Sequence, residues 1–196
     1  MHTTEGHRRG LDRHVLAIGV ALLLTVVLIA VRSTTAAFTS TTANAANSWS
    51  AGTVALTDDD TGTAMFAVTN MAPGDSITRC ITVSYSGSVD AAVRLYGSIT
   101  GGTGLGTYLD LTVERGTGGS FASCTGFVST ESVYSGTLAG FTSAHTGFVN
   151  GAGSWAPVGG APVDTMTYRF TTTLQSNNAA QALTATAAFT WEAQST

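Results

Sequence analysis

Two hydrophobic patterns divide the chain. Val15 to Val31 reads VLAIGVALLLTVVLIAV, an apolar run without a charge. Further on, apolar residues recur at every second position in short stretches separated by Gly, Pro, Asn and Ser, which is the period of antiparallel strands joined by tight turns. Two stretches show it best. Met166, Tyr168, Phe170, Thr172 and Leu174 share one face, opposite Thr167, Arg169, Thr171 and Thr173. Leu183, Ala185, Ala187, Phe189 and Trp191 share another, opposite Thr184, Thr186, Thr190 and Glu192. Ile77, Ile81, Val83 and Tyr85 form a third dry face, which Arg79 interrupts, so that strand belongs at a sheet edge or starts late. Val93, Leu95 and Ile99, the alternation Leu109–Glu114, and the short stretches Gly52–Leu56 and Met65–Thr69 complete the strand set.

A strand with one dry and one wet face needs a second sheet to cover the dry one. The pattern therefore predicts an all-β, jelly-roll-like antiparallel β-sandwich of about seven to nine strands. It occupies 49–196 as a single domain, preceded by an N-terminal signal helix. Pro73-Gly74 fits a type II turn, because proline fixes φ at its first central position and glycine accepts positive φ at the second. Gly101–Gly106, Gly116–Gly119 and Gly151–Pro162 read as loops, the last burying or displaying Trp155. Phe121–Asn150 has no fixed period, though Thr137–Ala144 suits one or two helical turns.

The apolar run changes the picture of where the domain goes. A basic head (Arg8, Arg9, Arg13) precedes it and small residues follow, the order of a secretory signal. Residues 1–36 read as that signal, cut between Ala36 and Ala37, with Ala43-Asn44-Ala45 as a second candidate. The alternative is an uncleaved anchor; about 17 residues at ~1.5 Å each barely match a ~30 Å hydrocarbon core. Residues 37–48 are short, polar and unpatterned, and read as a mobile arm.

Charge narrows the partners. The eight basic residues are all Arg, and only Arg79, Arg94, Arg115 and Arg169 follow the leader, against ten acids, giving 4 − 10 = −6. That excludes nucleic acid, whose phosphates need clustered cations. The absence of Lys also excludes a Lys–Asn cross-link. Contact with a membrane is expected only through the leader.

Catalytic chemistry is sparse. After the leader the only His is His145, which rules out HExxH and any two-His metal site beyond residue 36. No GxSxG elbow is present, and the glycines of 101–106 are not followed by GK[ST]. Asp58-Asp59-Asp60 precedes Gly62 but lacks the spacing and closing Glu of a calcium loop, so a solvated turn is the simpler reading. No cofactor, metal or catalytic residue is assigned. Cys80 and Cys124 in an exported chain favour a disulfide, with two buried thiols as the alternative.

Three passages together resemble one family. Ala36-Ala37-Phe38 through Gly52-Thr53-Val54-Ala55-Leu56, then Met71-Ala72-Pro73-Gly74-Asp75-Ser76 with Ser86-Gly87-Ser88, then Ala188-Phe189-Thr190-Trp191-Glu192-Ala193-Gln194 are similar to the opening, PGD and closing segments of TasA and camelysin-like proteins. The resemblance implies a jelly-roll sandwich, export through a dedicated signal peptidase, and self-association into extracellular matrix fibres by N-terminal strand donation. By position the donor is Ala37, Phe38, Thr39, Ser40, Thr41 and Thr42, continuing to about Trp49. Camelysins are described as metallo-endopeptidases; with one His beyond the leader that activity is not carried over, and no enzyme is expected. Secretion as a metalloprotease and a membrane-tethered surface domain are the alternatives.

Overall fold

The stretch Met166–Leu174 sits at the centre of the molecule. In a computed structural model, which describes residues 50–196, it forms β7 (Asp164–Leu174), a strand paired along both sides. The leader, the cleavage site Ala36/Ala37, the arm 37–48 with its donor segment, and Trp49 lie outside the described residues. β7 joins β2 (Ser76–Tyr85) on one side and β4 (Leu109–Thr117) on the other, with β1 (Leu56–Asp58) beyond β2 and β5 (Val128–Thr137) beyond β4. A second sheet has β3 (Ala91–Gly102) between β6 (Ala152–Trp155) and β8 (Ala185–Ser195). Every pairing is antiparallel. The chain changes sheet at each connection except β1–β2 and β4–β5, so both inner faces contribute to one core.

That core follows the alternation. Tyr168 and Phe170 of β7 are 1% and 0% exposed, Val83 and Tyr85 of β2 and Leu111 and Val113 of β4 flank them, and Val93 and Leu95 of β3 close from above. Phe170 meets Phe189 of β8 at 4.8 Å between ring centroids, and Tyr168 meets Trp191 at 5.3 Å. Such offset aromatic pairs add about 1 kcal/mol each to the burial itself. One α-helix, α1 (Leu138–Ala144), follows β5 directly, where helical turns were expected. The Thr137 hydroxyl caps it by accepting from Gly140 N, and Phe141 is buried.

The PGD turn forms as predicted. Asp75 N–H donates to Ala72 C=O at 3.0 Å, and Gly74 takes φ +87°.

Several expectations are corrected. Gly52–Val54 run beside the end of β2 through single hydrogen bonds, and the ladder starts only at Leu56. Met65–Thr69 makes no ladder; Met65 and Phe66 instead plug the core from an irregular segment. Ile99 is 44% exposed, because the register shift beside Gly101 turns the end of β3 away from the core. β3 continues to Gly102 and β4 to Thr117, into spans read as loops. The last strand starts at Ala185, leaving Leu183 outside it. Within 151–162 a strand, β6, buries Trp155 to 5% exposure. Arg79 lies in the part of β2 that has a partner on one side: β1 covers only Val83–Tyr85, so among the described residues the Ser76–Thr82 flank opposite β7 has no ladder.

Candidate functional site

Among the described residues the two sheets are unequal, five strands over three, and the smaller sheet ends at β8. β8 has 11 residues and pairs with β3 alone among the described strands. Thr196 N–H donates to Asp90 C=O at 3.2 Å, which fixes the parity of the ladder. In antiparallel pairing the same residues that aim side chains at one face aim their N–H and C=O to one side. Gln194, Glu192 and Thr190 therefore bond to β3. Ala193, Trp191, Phe189 and Ala187 turn theirs outward, while their side chains face the core. Among the described residues none of those outward groups has a hydrogen-bond partner. The side chains of Phe189 and Trp191 are only half-buried against the described strands.

The other sheet edges differ. β1 and β6 are three and four residues long. β5 carries two register shifts against β4, at Val113/Glu114 and Arg115/Gly116, which kink it. The free flank of β2 is closed by other groups: Cys80 C=O accepts from Ala122 N–H, Thr82 N–H donates to Asp59, and Thr78 C=O accepts from Arg79. Shortness, bulges and covering loops are the usual protections of an edge; β8 is long, its ladder shifts register only on the β3 side beside Gly101, and no loop among the described residues bonds to its outer flank.

The sandwich has two distinct poles. At one, residues 50–54 enter: Ser88 N–H donates to Thr53 C=O at 2.9 Å, and Gly160 N–H donates to Gly87 C=O. The C-terminal end of β8 lies at this pole, through the Thr196–Asp90 bond. At the opposite pole, where β8 begins, segments 68–73 and 177–185 border a cavity of about 580 Å³. Met71, Leu105, Leu174 and Leu183 supply its apolar surface, and Asn178 and Gln181 stand on its rim. Its lining contains no ionisable side chain. Asn70 (φ 57°) and Ala182 (φ 59°), one on each wall, hold left-handed backbone that only well-determined surroundings maintain. Neither the open edge nor this cavity was read from the sequence. The faint signal for the edge was alanine at inner positions 185, 187 and 193, which packs less than a fully flanked strand would.

The residues singled out for chemistry are used otherwise. Asp58 accepts from Asp60 N–H, Asp60 from Gly62 N–H, and Asp59 joins Thr82 N–H at 2.8 Å to Phe121 N–H at 2.7 Å. The triplet thus forms a turn whose middle carboxylate ties β2 to the loop after β4. Burial pushes the Asp58 carboxyl above its ordinary value, opposed by the Asp60 N–H and assisted by the neighbouring Asp60 and Asp59 charges. Cys80 and Cys124 form a disulfide with Cα atoms 5.2 Å apart, fastening the same loop over the outer face. Beside it Glu114 pairs with Arg169, whose guanidinium lies 4.6 Å from the Phe127 ring centre. On the inner face Arg115 pairs with Glu131, next to Tyr168, whose hydroxyl burial pushes up to about 12.

His145 caps α1, and its Nδ1 lies 2.6 Å from Asn150 C=O. A metallo-endopeptidase would need three or more His, Cys, Asp or Glu converging on one point. No such group occurs among the described residues, and the one described His stands against aromatic rings and a carbonyl. The donor set does not fit a catalytic metal; His2, His7 and His14 lie outside the described residues. No helix among the described residues is long and apolar enough to cross a membrane.

No curated protein matches the chain. Residues 13–100 match the family model described as camelysin metallo-endopeptidase, a span that includes the apolar run 15–31 and the PGD turn and ends in β3. Together with the all-β sandwich, that match supports a TasA/camelysin-like family for the chain.

Proposed function

We propose that this chain is an exported structural subunit that polymerises head to tail, the 37–48 arm of one copy adding as a strand to β8 of the next. The observation that carries the reading is the long outer edge of β8, without a partner among the described residues, with half-buried aromatics beneath it. Adding an extended segment to such an edge satisfies backbone groups and covers apolar surface together.

Direction favours a second copy over the chain's own body. β8 runs from the cavity pole to the pole where residue 50 enters. An arm folded back along its own β8 would lie parallel to it. An arm arriving from a copy stacked at the cavity pole lies antiparallel, like every other pairing in the fold. The length suits: twelve residues span about 40 Å, and the 11 of β8 about 36 Å. Donor and acceptor at opposite poles make a heterologous contact, which repeats into an open filament. Export requires the leader to be removed after Ala36 by a signal peptidase, freeing Ala37 to lead the strand.

Deleting 37–47 from the mature protein is expected to abolish fibres while leaving a folded monomer. Mature wild-type protein that stays at the monomer position in sedimentation at every concentration would end the reading. The competing reading, a secreted metallo-endopeptidase, has the family's description in its favour. Casein cleavage by pure protein that a chelator stops would establish it.

A further inference from the structure

The head-to-tail arrangement leaves the cavity between 68–73 and 177–185 facing the neighbouring copy's entry pole. Ser50 is exposed at that entry pole, so the residue just before it is carried to the junction whatever the arm does beyond. That residue is Trp49. Resting on the fibre reading, we propose that the cavity of each subunit is a docking site for the indole of Trp49 from the next copy, which sets the register of strand addition.

Three features of the site suit an indole. Its volume, about 580 Å³, lies within the range of sites that enclose a compact ring system. Met71, Leu105, Leu174 and Leu183 offer apolar contact to the ring faces, and the side-chain carbonyls of Asn178 and Gln181 can accept the indole N–H, which needs a partner once buried. No lining side chain is charged, so an uncharged aromatic meets no desolvation penalty there.

Distance decides between Trp49 and Phe38, the other aromatic in the segment. Phe38 lies 11 residues upstream, about 36 Å along an extended strand. With Trp49 at the cavity, where β8 begins, Phe38 reaches the opposite pole, beside the last residues of β8. Only Trp49 matches the cavity in this register. A strand lacking it could slip by two residues and keep its faces; an indole seated in the cavity blocks that slip.

The test uses mature protein carrying 5-fluorotryptophan at its three Trp positions, with the Trp49 signal assigned by its loss in Trp49→Phe. Fibre formation is expected to move the Trp49 resonance, and Trp49→Ala to raise the critical concentration at least tenfold, equally at pH 5 and pH 8. Trp49→Ala and Leu183→Ala together are expected to cost less than the sum of their separate effects, because each removes half of one contact. Fibres that form with an unmoved Trp49 signal, or that are indifferent to Trp49→Ala, overturn the anchor and leave strand addition standing. Additive effects of the two substitutions place Trp49 somewhere other than this cavity and overturn it too. Wild-type protein that never polymerises removes the fibre reading, and the anchor with it.

Discussion

β7 and β8 look like twins in the sequence and behave differently in the fold. Both are 11 residues long, both alternate, and both carry two aromatics two positions apart on the inner face. β7 lies between β2 and β4, and its aromatics are sealed. Among the described strands β8 has β3 alone beside it, and Phe189 and Trp191 remain half-buried. Alternation reports which face of a strand is dry. The number of neighbours a strand has depends on how many strands the other sheet contributes, and no local pattern carries that. The difference between the two strands separates a sealed core position from an edge that the proposed strand addition would use.

The largest effect should come from the aromatic pair at 4.8 Å. Phe170→Ala empties a fully buried site flanked on all sides and is expected to cost about 4 kcal/mol. Phe189→Ala, at the open edge, can refill with water or relax, and is expected to cost about 2 kcal/mol in the monomer. Urea unfolding of both variants as monomers measures the gap. Equal losses would mean that β8 is as enclosed as β7, and the contrast between them would collapse.

Tyr168 sharpens the same contrast by pH. Burial raises its hydroxyl from 10 to about 12, against the lowering effect of the Arg115 charge and the Trp191 indole. A tyrosine whose folded value is raised is neutral in the fold and ionises more readily once unfolded. Its stabilisation is therefore complete below pH 10 and is lost as pH climbs from 10 through 12. That rise corresponds to about 3 kcal/mol. Stability of the wild type should fall across that interval, and Tyr168→Phe should flatten the fall by its share; the rest belongs to Tyr96, raised by its bond to Glu192, and Tyr134, raised by burial.

What the residues announce and what they conceal divides along physical lines. β2, β4, β7 and the PGD turn were readable because each is governed by local rules: alternation against one core, and proline followed by glycine. β5 was not, because two register shifts break its period and no residue of VSTESVYSGT is fully buried, so neither face reads as dry. β6 escaped because four residues among glycines are too few to show a period, although Trp155 is buried there. Met65–Thr69 looked like a strand because apolar residues were taken to need a ladder, whereas Met65 and Phe66 reach the core from irregular backbone. The cavity needed two segments about a hundred residues apart, 68–73 and 177–185, and neither has a motif.

The protected flank of β2 provides the next test. Asp59 holds two backbone N–H groups at once, and Asp59→Ala leaves both Thr82 N–H and Phe121 N–H without that acceptor. A loss of about 2 kcal/mol is expected, since each orphaned group costs about 1 kcal/mol when part-buried. Asp59→Asn should recover part of it. The removed carboxylate also bares the β2 edge, so the variant should associate more readily than wild type in light scattering. A monomer as well behaved as wild type would show that the disulfide-fastened loop alone protects that edge.

The smallest effect on the monomer separates β8 from β2 most directly. Proline is tolerated on an edge strand where its missing N–H would have pointed outward. Ala187 is such a position: its N–H faces away from β3, and its side chain is small. Ala187→Pro should therefore change monomer stability by about 1 kcal/mol or less, while blocking one hydrogen bond of any added strand and placing a ring in its path. Thr190→Pro, one bond away in parity, removes a β3 ladder bond and should destabilise the monomer by about 3 kcal/mol. If Ala187→Pro and wild type polymerise alike, β8 does not receive the arm. If Ala187→Pro unfolds as readily as Thr190→Pro, the outward-facing parity assigned to Ala187 is wrong. A folded, monomeric Ala187→Pro beside a fibre-forming wild type is what an edge left open for another copy requires.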